Sequence, residues 1–109
     1  MKTYSFQYDL DLDMKPVNGI LSFDEAGFIT SSIDNETLLK LSADDIEEVL
    51  VMAGIGCGLL FVRKKNEEEQ ILCRFTMSVM KAAGEFCKIV NFYVQTKQFV
   101  APKEKERDM

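Results

Sequence analysis

The sequence predicts a mainly β domain (α+β), with about seven antiparallel strands closed by one C-terminal helix, and three observations predict it. The first is strict alternation: Tyr4, Phe6, Tyr8, Leu10, Leu12 and Met14 interleave with Ser5, Gln7, Asp9, Asp11 and Asp13, the period of a strand with one wet face. The second is a series of short apolar runs up to residue 75, separated by glycine, asparagine or aspartate turn signals. The third is a change of period beyond Thr76 to about 3.6 residues, which is helical.

After the first strand, Pro16 and the pair Asn18-Gly19 predict a turn. ILSF and FITSSI then flank the polar loop DEAG, where Gly27 adopts a positive φ at little cost, so a hairpin is expected. ETLLKL follows another turn signal, Asp34-Asn35, as a fourth strand. Two readings compete over residues 42–53. Ser42, with Asp45 three positions on, looks like a capping box, and Ile46, Val49 and Leu50 fit helical spacing. A bend followed by a strand over 48–53 is preferred, because GIGCG, LLFVRKK, NEEE and QILCRF continue as a glycine turn and a further hairpin.

In the last segment Val79, Ala83, Phe86, Cys87, Val90 and Val94 fall on one side of a helix over about 77–97, and Ser78, Lys81, Glu85, Lys88 and Gln95 on the other. Thr76 and Ser78 are the candidate caps. QFVAPKEKERDM then loses periodicity and alternates charge. The expected organisation is one domain over residues 1–98, with strands over about 3–75, and a charged tail or linker over 99–109.

With 109 residues, 47% hydrophobic and 28% charged, the chain has the composition of one globular domain. Its net charge of −5 opposes nucleic acid and anionic lipid heads as partners. No apolar run reaches the ~18 residues of a membrane span, and MKTYSFQYDLD lacks the apolar stretch of a signal peptide. A cytoplasmic location is expected.

The residues offer little for catalysis. Histidine is absent, so the commonest general base is missing, and the chain is expected not to be an enzyme. The three cysteines form no C-x-x-C pair and are expected as reduced, mostly buried thiols; Cys57 and Cys73 are the candidates for a thiol-dependent alternative. Asp9, Asp11 and Asp13 would begin a calcium loop, but its glycine and glutamate positions hold Met14 and Ile20, so they are expected to face solvent along a strand. GIGCG lacks the register of either phosphate-binding glycine motif and reads as a hairpin turn. RKKNEEE reads as a hairpin tip across Asn66, with Arg63 and Lys65 near Glu67 and Glu69. Neither a cofactor nor a metal is expected. The outstanding surface feature is Phe92, on the polar side of the helix with Lys81, Glu85 and Lys88: a candidate contact surface for a partner protein or for a homodimer.

The element order resembles the pleckstrin-homology-like fold, in which two near-orthogonal antiparallel sheets form a partly open barrel and the helix plugs one end. Phosphoinositide-binding members of that fold gather basic residues around the first hairpin loop, whereas MKPVNG offers only Lys15, so direct lipid-head binding is not expected. More specifically, YSFQYDLDLD, GILSFDEAGFI, IGCGLLFV, ILCRFTMSVM and EFCKIVNFYVQT make the chain, up to about Lys97, similar to the N-terminal accessory domain of bacterial, mainly clostridial, ABC-type exporter ATPases. In that family a zinc-ribbon-like segment, six membrane helices and a nucleotide-binding domain follow, and none of their motifs occurs in this sequence. The resemblance implies a non-catalytic domain that docks on the transporter or a partner subunit, with ATP binding and transport belonging to the following parts. The alternative is a stand-alone interaction or self-association module.

Overall fold

The alternation of residues 4–14 builds the first strand, β1 (Thr3–Leu10), with Phe6, Tyr8 and Leu10 turned inward, in the computed structural model, which describes residues 2–100. The strand ends earlier than its alternation suggests. Asp11 folds back on the chain, its carboxylate accepting the Asp13 and Lys15 N–H groups at 2.8 and 2.9 Å, and Met14 adopts φ 68°. This aspartate-capped turn replaces the one expected at Pro16 and Asn18-Gly19, which lie inside the next strand, β2 (Pro16–Asp24). Gly19 is there for clearance: a Cβ would stand 2.3 Å from the Tyr8 ring that lies against it.

The predicted hairpin follows, with Gly27 at φ 94° before β3 (Phe28–Ile33), and Asp34 and Asn35 at φ 52° and 68° before β4 (Glu36–Ser42). At the contested segment both signals contribute. The Ser42 hydroxyl accepts the Asp44 N–H at 3.2 Å and caps a single 3-10 turn, Ala43–Asp45. Strand β5 (Ile46–Ala53) then begins two residues before the expected position, because Ile46 inserts fully into the core. GIGCG is the hairpin turn to β6 (Cys57–Lys64), and the Asn66 turn leads to β7 (Glu69–Thr76). Arg63 stands opposite Glu69 in register, but its ion pair is made with Glu48 of β5 rather than with the glutamates of the tip.

A second 3-10 turn, Met77–Val79, hands over to helix α1 (Met80–Thr96), which Lys97 closes in a left-handed conformation with its N–H on the Tyr93 carbonyl. Neither Thr76 nor Ser78 caps α1. Instead the Asp9 carboxylate accepts the Thr76 N–H at 2.8 Å and its hydroxyl at 2.5 Å, tying β1 to the handover. Asp9 is therefore half-buried and Asp11 is a turn former; Asp13 is the one of the three that is exposed as expected.

The fold is thus mainly β: seven antiparallel strands in one sheet, in the order β4-β3-β2-β1-β7-β6-β5, plus the C-terminal helix. One register pair, Leu10 with Arg74, joins β1 to β7. The helix lays Ala83, Phe86, Cys87, Ile89 and Val90 on the inner face, where Phe86 meets Phe6 edge-on at 5.6 Å between ring centres. Phe99, expected in the tail, belongs to the domain, stacked on Phe23 at 5.8 Å. The rest of the charged tail, 101–109, lies outside the described residues.

Candidate functional site

Two irregularities in the strands shape a groove. In β4, Ser31 pairs with Leu39 and Ser32 with Thr37, which leaves Leu38 as an extra residue; in β7, Leu60 pairs with Cys73 and Phe61 with Ile71, which leaves Leu72. Such β-bulges break the alternation and re-aim side chains. Leu38 and Leu72 consequently line the same groove, of about 350 Å³, between β3 and β4 on one side and β7 on the other.

Its lower wall carries Tyr8 and Ser31, both almost wholly buried, whose hydroxyls share a hydrogen bond of 2.8 Å. Burial raises the Tyr8 phenol above its ordinary pKa, the bond from Ser31 offsetting this in part, so the group stays a neutral donor and acceptor. Leu12, at 56% exposure, and Leu38, at 60%, stand at the mouth. The groove's charged lining residues are Asp11 and Asp13, from the β1–β2 turn. The arrangement suits binding: an apolar trough, one satisfied polar pair and a negative rim.

The two buried thiols, Cys73 and Cys87, are held protonated at neutral pH and so are poor nucleophiles there. Cys73 lines the groove wall, and burial, followed by the proximity of Cys87 and Asp9, pushes its thiol up to about 12; burial does the same to Cys87. Among the described residues no group of three or more His, Cys, Asp or Glu is placed to hold a metal. Iodoacetamide should therefore label half-exposed Cys57 in the native protein, and Cys73 and Cys87 only on unfolding, as read by mass spectrometry. Because both buried pKa values lie above the unfolded value of 9.0, folding holds protons that the unfolded chain releases. Stability is thus unaffected by these groups below pH 9 and falls as pH rises from there toward 12, which urea titrations across that window will show.

The four residues singled out on the helix form one stripe of α1. Lys81, Lys88 and Phe92 are exposed, Phe92 at 42%; Glu85 is half-buried and lies near the Tyr4 phenol, whose pKa burial raises first and the Glu85 charge second. None of the four lines the groove. Their neighbour Asn91 binds the sheet directly, its Oδ1 accepting the Val49 N–H at 2.7 Å and its Nδ2 donating to the Val49 carbonyl at 2.9 Å. Those are β5 backbone groups on the side away from β6, so α1 supplies the neighbour that this sheet edge lacks. At the other edge β4 pairs with β3 alone, and no described strand flanks it.

The groove and Asn91 have sequence signals that alternation alone passes over. Leu38-Leu39 and Leu72-Cys73 are consecutive apolar pairs inside strands, a break in alternation that the in-register pairs Val49-Leu50 and Leu59-Leu60 also show, and Asn91 is a single amide between Val90 and Phe92 in an otherwise apolar run. Comparison with protein-family models, curated proteins and solved structures found no match to the chain.

Proposed function

We propose that this chain is a non-catalytic docking module, the cytoplasmic N-terminal accessory domain of an ABC-type exporter ATPase. In this reading the sheet folds as a pleckstrin-homology-like barrel, with β1–β4 and β5–β7 as near-orthogonal halves hinged at the single Leu10–Arg74 pair and α1 plugging one end. The observation that carries the docking role is the groove that two bulges open beside the β4 edge, which no described strand flanks. Edge strands that remain free are routine sites for strand addition by a partner. The placement on a transporter rests on the resemblance of YSFQYDLDLD, ILCRFTMSVM and EFCKIVNFYVQT.

A photo-crosslinking amino acid placed at Leu38, or at Phe92, in the protein within its own cells tests the reading. Crosslinks from position 38 to an exporter subunit or to a following transporter region are expected. Crosslinks that join only two copies through position 92 would replace this reading by self-association on the helix face. The absence of any exporter crosslink from either position overturns it.

A further inference from the structure

The groove's chemistry narrows the partner, and this step rests on the docking reading above. Seven of its lining residues are leucine or isoleucine, from β1, the β1–β2 turn, β3, β4 and β7, so the occupant must bury apolar side chains. The lining's charged groups are both carboxylates, on a chain already carrying −5. Asp11 spends one oxygen on the Asp13 and Lys15 N–H groups, which fixes the turn and leaves exposed Asp13 beside the mouth. An acidic rim over an apolar trough favours a cation at the rim and disfavours a carboxylate by like-charge repulsion.

The backbone specifies the occupant's shape. β4 offers a row of N–H and C=O groups with no described strand alongside, whereas Asn91 already occupies the Val49 groups of β5. An extended segment can therefore pair along β4 and alternate its side chains toward and away from Leu38 and Leu39. We propose that the groove binds an extended protein segment in which leucine-like residues alternate with lysine or arginine: the apolar side chains enter between Leu38 and Leu72, and a long basic side chain from an intervening, outward-pointing position folds back over the mouth to exposed Asp13.

The test uses the full chain, labelled with ¹⁵N, and two acetylated, amidated hexapeptides, Ser-Leu-Lys-Leu-Lys-Ser and its counterpart with glutamate for lysine. The lysine peptide is expected to move the amide signals of Leu38, Leu39, Ile71 and Leu72. It should bind at least ~10-fold more tightly than the glutamate peptide at low salt, with the gap closing at high salt, where charges separated by solvent are screened. Asp13→Lys should abolish the preference while leaving the groove's apolar contacts, and Leu38→Ser should weaken both peptides. Equal or tighter binding of the glutamate peptide in the groove overturns the basic-segment proposal and leaves the docking reading standing. Signals that move only outside the groove, or that do not move with either peptide at millimolar concentration, overturn the groove as a segment-binding site; the crosslinks from position 92 then decide whether a docking role survives elsewhere.

Discussion

Phe86→Ala is expected to remove about 3–5 kcal/mol of stability, the range for truncating a fully buried aromatic. Phe86 is at 0% exposure in the middle of the apolar face of α1 and meets Phe6 of β1 edge-on. Alanine there forfeits the burial of the ring and leaves a void between the helix and the sheet, which strands anchored on both sides close only in part. Against a total of about 5–15 kcal/mol for a domain, this is a large fraction. At about 4–8 °C per kcal/mol for a domain near this size, the melting midpoint should fall by at least ~12 °C. Phe86→Leu, which refills most of the space, should recover more than half of the loss. Urea unfolding followed by circular dichroism measures both; a loss under ~1 kcal/mol for the alanine variant would mean that α1 does not complete the core.

Asn91→Leu is expected to cost about 2–3 kcal/mol, although leucine has asparagine's branching and number of side-chain heavy atoms and is the better helix former. The loss arises on the strand. Without the amide, the Val49 N–H and carbonyl of β5 stay covered by the helix and lose both partners, and an unsatisfied polar group beneath a packed element costs more than the hydrogen bond itself contributed. A second consequence separates this effect from simple loss of packing. Each opening of α1 leaves β5 as a bare edge, and such edges pair with other chains. The Asn91→Leu protein should therefore form oligomers at concentrations where Phe86→Leu remains as dispersed as the parent, which sedimentation velocity will show. Equal stability of Asn91→Leu and the parent would remove the amide from its proposed role at the edge.

These two residues also show how far the chain could be read from its order of amino acids. Phe86 was legible, because helical periodicity depends only on residues three and four apart, and the stripe from Val79 to Val94 is unbroken. Asn91 was not, because its partner is 42 positions away and nothing near it in sequence names β5. The same division runs through the groove. The strands that border it were expected, yet Leu38 and Leu72, each surplus to the register of a neighbouring strand, join in-register Leu39, Ile71 and Cys73 in lining it. The helix stripe around Phe92 was legible as a surface, and the fold keeps it apart from the groove.

By itself, then, the sequence determined the class and order of the elements, seven strands and a terminal helix, together with the inward face of most of them, since alternation and helical spacing are properties of near neighbours. It also set the acidity that the groove's rim shares. The tertiary structure alone decided where the first turn falls, that Asp9 holds Thr76, which sheet edge α1 covers and which no described strand flanks, and where two bulges open the groove. Each of those depends on which strand lies opposite and in what register, and register is settled by contacts between residues distant in the chain.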